Sequence, residues 1–319
     1  LNDETEPLFR ALAERCHAHD CRLAAQIQPG DGRIGGPSVR YKVPISASAC
    51  PWMHVPRMRC HALTIDEIHE LEEDFRRSVQ VALRSGADCV GIHAYGGYLT
   101  DQFLTRRWNT RTDAYGGSLE NRCRYPLMIM KRIRQEVGND LIIEVRMNGS
   151  DMMEGGITPE DAAEQALILS EEADMLHMTC GTRLDASSRP KMHPTHFLER
   201  AHNARASELA KKAGVKIPVG VVGSIHDPDL AERLLEEGKA DYVLTARQAL
   251  TDSDFVNKIR EGRLEDIRPC LRCDFCLDGS KRGALTTEVN IRKDSTYDRQ
   301  CAVNPLWYQG ITKKHLIPM

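Results

Sequence analysis

Leu141-Ile142-Ile143-Glu144-Val145-Arg146-Met147-Asn148 decides the fold. An apolar run this short and this continuous reads as a strand covered on both faces, the form strands take in parallel sheets. Working outward, amphipathic helices are predicted on either side of it, at Leu119–Val137 and at 159–172. The alternation continues in both directions. Further strands are expected at 22–28, 89–94, 175–180, 218–223 and 242–246, and further helices at 64–86, 196–213, 229–237 and 254–261. Thr64 and Glu67 have the spacing of a capping box, and Gly86 is the stop. Thr158 and Asp227 each precede a proline, a common helix entry. Strand–helix repetition with no second globular domain implies an α/β barrel or an open doubly wound sheet. About six units are counted, whereas a TIM barrel has eight.

The remaining composition narrows the class. The 319 residues carry 43 Lys and Arg against 46 Asp and Glu, a net charge of −3. That balance has no footprint of a nucleic-acid or membrane partner. No run of eighteen apolar residues occurs and no signal peptide opens the chain, so neither a membrane span nor secretion is expected. Residue 1 is Leu, which is expected of a fragment or a processed product. Of eleven cysteines, seven (Cys16, Cys21, Cys50, Cys60, Cys89, Cys123 and Cys180) are scattered and are expected to be reduced thiols of a cytoplasmic protein.

Five features carry chemistry. Gly30-Asp31-Gly32-Arg33-Ile34-Gly35 fits GxGxxG after a strand, but a prolyl loop follows instead of a helix. Without a helix N-terminus it lacks the dipole a pyrophosphate needs, so a Rossmann reading is rejected. His93 and Tyr98 lie just past the strand at 89–94. His can donate to a carbonyl oxygen and Tyr can deliver a proton, although His at a strand end is often only structural. Arg146 is a guanidinium on a buried strand, which demands an anion: Glu144 or a neighbouring carboxylate, or else a ligand. Gly223-Ser224 and Ala246-Arg247 end the last two strands, where barrels recurrently hold a phosphate. That placement makes these strands seven and eight, and puts the missing units before Leu1. Finally, Cys270, Cys273, Cys276 and Cys301 form a tight triplet with a distant fourth thiol, closer to iron–sulfur ligation than to the paired CxxC of zinc, with a zinc knuckle or free thiols as the alternatives.

Together these residues resemble the Old Yellow Enzyme family, and more closely its iron–sulfur flavoenzyme branch. The most specific stretch is His93-x-x-x-Gly97-Tyr98-Leu99-x-x-Gln102-Phe103-Leu104, followed by Asn109, Arg111, Asp113, Tyr115, Gly116, Gly117, Ser118, Glu120, Asn121 and Arg122. The tail Ile267-Arg268-Pro269-Cys270 and Cys301-Ala302-Val303-Asn304-Pro305 is nearly as specific. The resemblance implies FMN across the mouth of a TIM barrel, with Gln26 on the flavin ring and Arg146 facing its N1–C2 edge. It implies that Gly223, Ser224, Ala246 and Arg247 hold the FMN phosphate. His93 would meet a substrate carbonyl, Tyr98 would be the proton donor, and the four cysteines would hold a [4Fe–4S] cluster. Three departures stand out. Gly96 occupies a position where members often carry His or Asn, with Tyr95 as a substitute, the gap from Cys276 to Cys301 is longer than in the family, and the first strands, which supply flavin contacts in the family, are expected to be missing.

The resulting expectation is an N-terminally truncated TIM barrel over residues 1–266 and an iron–sulfur segment over 267–319. The function implied is NAD(P)H-linked, FMN-dependent reduction of the C=C bond of an enone or enoyl thioester. An oxidative amine dehydrogenase of the same family, or a non-catalytic zinc or electron-transfer module, are the rivals. FAD and the nicotinamide would bind in a further C-terminal domain of longer relatives. A small unsaturated carbonyl compound is the expected partner, with homo-oligomerisation left open.

Overall fold

The computed structural model describes residues 1–38, 40–277 and 301–304. The chain divides into two compact units. The first comprises residues 1–192, 203–221 and 238–242, and the second 193–202, 222–237 and 243–319. The polar insert at 278–300 and Pro305 of the tail motif lie outside the described residues.

The first unit runs α1 (Glu6–His17), β1 (Ala24–Ile27), β2 (Ile45–Ser46), β3 (His61–Ala62), α2 (Ile65–Arg84), β4 (Cys89–Ala94), α3 (Leu99–Leu104), α4 (Leu119–Val137), β5 (Ile142–Asn148), α5 (Pro159–Leu169), β6 (Met175–Thr179), α6 (Ala204–Lys212), β7 (Val219–Val222) and the start of β8 (Tyr242–Leu244). The unit boundary passes through β7 and β8. Strands β1, β4, β5, β6, β7 and β8 neighbour one another in chain order, and β2 and β3 form a separate parallel pair. Pairing is parallel from β1 through β7. This is the architecture of a partial TIM barrel, six β/α units in one sheet. Among the described residues no helix is long and apolar enough to cross a membrane.

The register sorts side chains by face. Ile27, Ile92, Val145, Leu176 and Val219 stand in one row, and the last four are wholly buried. They join one core with Phe75 and Val79 of α2, Tyr125 and Ile129 of α4, and Ala162 and Ala166 of α5. Side chains one residue along point to the opposite face. There the rows are Gln26, Gly91, Glu144 and Met175, then His93, Arg146, His177 and Gly220. The polar residues of the strands are therefore gathered on the face away from the helices. Gly220 is required on that face: a Cβ there would lie 2.2 Å from the ring of Tyr242, whose hydroxyl donates to Leu176 O at 2.9 Å.

Helix starts follow the caps read from sequence. Thr64 and Glu67 make the reciprocal capping box of α2, and Thr158 caps α5 with Asp161. The helix expected at 196–213 begins only at Ala204. The carbonyls of His196 and Leu198 are taken by the Arg272 guanidinium at 3.1 and 2.9 Å, and Ala201 adopts a φ of 54°, so this stretch cannot propagate a helix. After Gly30, residues Gly32–Ile34 make a 3-10 turn and no α-helix.

The second unit holds α7 (Pro228–Glu236), α8 (Arg247–Thr251), α9 (Phe255–Arg260) and the cysteine loop.

Candidate active site and cysteine cradle

Within the first unit, the C-terminal ends of β4, β5 and β6 bring His93, Arg146 and His177 side by side. Both histidines are buried. The chain leaves β4 through Tyr95, Gly96 and Gly97, and the two glycines take φ of 73° and 90° to turn it. Gly96 forms a parallel bridge with Thr182, and the Arg183 amide donates to Gly96 O at 3.1 Å. The turn sets Tyr98 edge-on to His93, ring centroids 4.4 Å apart, and Tyr95 4.7 Å from His93 on another side.

Arg146 does not pair with Glu144. Its guanidinium donates to Gln26 Oε1 and Tyr95 Oη, both at 3.2 Å, and lies 4.3 Å over the Tyr95 ring. Glu144 instead accepts from Tyr242 at 3.3 Å and stands 3.8 Å from His177, its carboxyl pushed up by burial. Gln26, Tyr95 and Arg146 are thus joined, with a positive charge whose hydrogen-bond partners here are neutral. Burial, helped by Arg146 and Arg183, drives His93 down to about 3, and burial with Arg146 and His93 does the same to His177. At neutral pH both imidazoles are uncharged, able to donate a hydrogen bond without carrying a proton in excess. Burial raises Tyr98, so its phenol stays protonated.

His93 Nδ1, Arg146 Nε and His177 Nε2 are buried atoms without a hydrogen-bond partner among the described residues. Buried polar atoms in a folded protein ordinarily have one. Polar ring atoms without partners and a guanidinium whose hydrogen bonds go to neutral groups, on the polar face of the strands, fit a flat, electron-rich, hydrogen-bonding ring such as flavin.

At Gly96 the backbone takes a φ of 73°, a conformation that residues with a side chain rarely adopt, and the Tyr95 ring lies beside His93. Sequence reasoning passed over His177 and Arg183. His177 occupies on β6 the register position that Arg146 occupies on β5, which is the signal that could have found it. Arg183, 5.7 Å over the Tyr98 ring, is placed by the Gly96 bridge and has no such signal.

Beneath this loop lie two buried carboxyls. Asp101 Oδ2 accepts from the Gly97 amide at 2.7 Å, and Asp151 accepts from Asn148 Nδ2 at 2.8 Å and the Ile157 amide at 2.7 Å. Burial and the nearby Asp151 charge hold Asp101 well above the ordinary range, and burial lifts Asp151 to about 6. The sign of the linkage follows. A carboxyl raised on folding keeps its proton in the native state, so its contribution to stability is lost as pH climbs from the unfolded value near 4 through the folded one. Asp101→Asn is expected to raise the melting temperature at pH 8 and to change it little at pH 4. A lower melting temperature at pH 8 would show that the ionised Asp101 is the stabilising form.

In the second unit, Gly223 and Ser224 turn with φ of 141° and 58°. Arg247 Nη2 donates to Ser224 Oγ at 2.8 Å and Pro194 O at 3.0 Å, and Nη1 pairs with Asp274. Ala246 precedes the first residue of α8. These four residues include one guanidinium and one hydroxyl fit for a phosphate, with Asp274 as the present counter-charge.

Cys270, Cys273, Cys276 and Cys301 line one cavity with Arg247, Thr251 and Val303. The empty space among these residues, counting the part open to solvent, is about 280 Å3. All four thiols are free. Among the described residues no three His, Cys, Asp or Glu side chains converge on a single metal ion. A four-iron cluster asks for one thiolate per iron around a volume, and all four cysteines are among the residues that line this cavity. Arg272 and Asp274 take positive φ to wrap the loop. The Arg272 amide points at Cys270 Sγ at 3.4 Å, and Thr251 Oγ1 is 3.5 Å from Cys301 Sγ. Burial pushes the Cys276 thiol up to about 11. Cys301 lies on this cavity despite the long gap after Cys276.

Comparison with known proteins follows the same lines. The NADH:flavin oxidoreductase / NADH oxidase family profile matches residues 1–266. The chain is 31% identical over 307 residues to a cinnamate reductase of Clostridium sporogenes, covering 92% of this chain and 44% of that protein. It is 33% identical over 303 residues to an NADH oxidase of Thermoanaerobacter brockii, covering 93% and 44%. Its structure superimposes on a 2-naphthoyl-CoA reductase complexed with 2-naphthoyl-CoA with a TM-score of 0.83, 28% identity and coverage of 97% and 46%. The chain thus spans less than half the length of these relatives.

Proposed function

We propose, from the premise that this chain belongs to the NADH:flavin oxidoreductase / NADH oxidase family, that it carries the alkene-reducing site of a flavin- and iron–sulfur-dependent ene-reductase. The observation behind this reading is the cluster of neutral His93, protonated Tyr98 and an Arg146 hydrogen-bonded to neutral partners, at the ends of adjacent parallel strands. Bound FMN would supply hydride to the β-carbon of an unsaturated carbonyl compound, drawn from NADH or NADPH. The residues of the chain do the rest. His93 donates to the carbonyl oxygen as it gains charge, the electrostatic contribution that lowers the barrier. Tyr98 gives a proton to the α-carbon. Gln26 and Arg146 hold the flavin ring, and Gly223, Ser224, Ala246 and Arg247 are assigned to the FMN phosphate. Two guanidiniums near Tyr95 and Tyr98 weigh against a cationic amine as substrate. Residues 1–266 would be the flavin part and 267–319 the cluster part.

The test is spectroscopic and catalytic together. Anaerobic full-length protein should show flavin bands that bleach with NADH or NADPH and return on addition of a cinnamate-like acceptor. Colourless protein, or bleached flavin that no alkene reoxidises, contradicts the reading. Arg146→Ala is expected to lower the flavin-to-protein ratio after gel filtration and to slow flavin reduction. Unchanged values would reduce Arg146 to a packing partner of Tyr95.

A further inference from the structure

The excursion between β1 and α2 carries two cysteines that face each other. Pro51 and Arg59 form an antiparallel bridge, so Cys50 lies opposite Cys60. The Cys60 amide donates to Cys50 O at 2.8 Å, and Trp52 N–H donates to Met58 O at 2.9 Å. Residues opposed in this hydrogen-bonded register have Cα atoms about 5.5 Å apart, a separation at which disulfides commonly form. Both are free thiols, 7% and 3% exposed.

Beside them is a buried cation. Arg33 is 8% exposed, lies 4.1 Å over the Trp108 ring and donates through Nε to Pro51 O at 3.0 Å, while its Nη1 has no hydrogen-bond partner among the described residues. The negative groups acting on it are Cys50 and Cys60. Arg does not neutralise by losing its proton, so the cheapest counter-charge available to it is a thiolate. The Cys50 sulfur is prepared for that. A hydrogen bond from Cys60 brings Cys50 down to about 6 against the cost of burial, with Arg33 and Arg59 adding to it, and Ser46 Oγ lies 3.4 Å from the Cys50 sulfur. The same hydrogen bond, with burial, holds Cys60 far up as a thiol. One member is a nucleophile and the other keeps its proton, the division of labour a dithiol needs for two-step oxidation.

We propose that Cys50 and Cys60 are a peroxide-reactive dithiol, with Cys50 the attacking thiolate held by Arg33 and Cys60 the resolving thiol. The Cys50 thiolate attacks one oxygen of hydrogen peroxide, the O–O bond breaks, and the leaving hydroxide takes a proton to become water. Cys50 is then a sulfenic acid. Cys60 sulfur attacks it, the S–O bond breaks, and the hydroxyl leaves with the Cys60 proton as a second water. The sulfur pair has lost two electrons to peroxide, and a disulfide closes the ends of the 50–60 excursion. This assignment is independent of the flavin and cluster readings. Its link to the active-site loop is a chain of side chains: Ser46 Oγ donates to Gln102 Oε1 at 2.6 Å, and Gln102 Nε2 donates to Gly97 O at 2.6 Å.

The test is peptide mapping of the full chain, treated with hydrogen peroxide at neutral pH, alkylated under denaturing conditions and digested with trypsin. The expected product is the disulfide joining the peptide with Cys50 to the peptide with Cys60, reversed by dithiothreitol. Cys60→Ser should stop at Cys50 sulfenic acid, trapped by a 1,3-dicarbonyl probe. Arg33→Met should slow cross-linking by about tenfold, through loss of thiolate, with Arg33→Lys restoring much of it. If the variants do not fold, the wild-type cross-link alone decides. No cross-link between these peptides while other cysteines oxidise, or an Arg33→Met rate equal to wild type, overturns the proposal.

Discussion

Tyr98→Phe is expected to lower alkene reduction by on the order of a hundredfold or more, the usual share of a positioned general acid, while leaving flavin reduction by NADH or NADPH unchanged. The two half-reactions differ in what they require. Reducing the flavin needs no proton on a substrate carbon, whereas saturating the alkene does. Tyr98 suits that task because burial raises its pKa and keeps the phenol protonated. Its position is set by the positive-φ pair Gly96-Gly97, by the Asp101 carboxyl under the Gly97 amide, and by the edge contact with His93. Stopped-flow measurement of each half-reaction separates the outcomes. If both rates survive, the proton comes from elsewhere, and Tyr95, whose hydroxyl accepts from Arg146, becomes the donor to test. If both collapse, the substitution has disturbed the flavin rather than removed an acid.

Cys270→Ala is expected to abolish the iron content of anaerobically purified protein. The wild-type chain should carry about four iron and about four sulfide. Cys270 is held in place by its surroundings: its amide donates to Gln248 Oε1 at 2.9 Å and its sulfur accepts from the Arg272 amide at 3.4 Å. Retained circular dichroism in the variant, with iron gone, would separate loss of ligation from loss of fold. Stoichiometric zinc in the wild type would replace the cluster reading with a zinc one.

How much of this was legible beforehand depends on the range of the interaction involved. The strands at 89–94 and 142–148 and the helices at 65–84 and 119–137 were readable because hydrophobic period and capping are local. The break before Ala204 was not, since it depends on Arg272 reaching carbonyls more than seventy positions away. The second half of the most recognisable string, from Asn109 onward, serves the scaffold. Asn109 Nδ2 donates to Phe103 O and Tyr115 O, Arg111 to Ala47 O and Leu63 O, and Arg122 to Leu104 O and Gly117 O. These buried donors satisfy the backbone of an irregular loop, and removing one leaves carbonyls unpaired in a dry interior.

From sequence alone came the alternation of strand and helix, the family string, the residues His93, Tyr98 and Arg146, and the cysteine spacing, all of them set by neighbours along the chain. Only the tertiary structure decided what each of these residues meets. It turned Arg146 away from Glu144 and onto Gln26 and Tyr95, put His177 in line with His93, and placed Cys301 on the cavity of the distant triplet. It also set Cys50 against Cys60 beside a buried guanidinium. The physical reason is the same in each case. Strand register and burial are collective properties of the sheet, and they fix which charges lose their water and which partner replaces it.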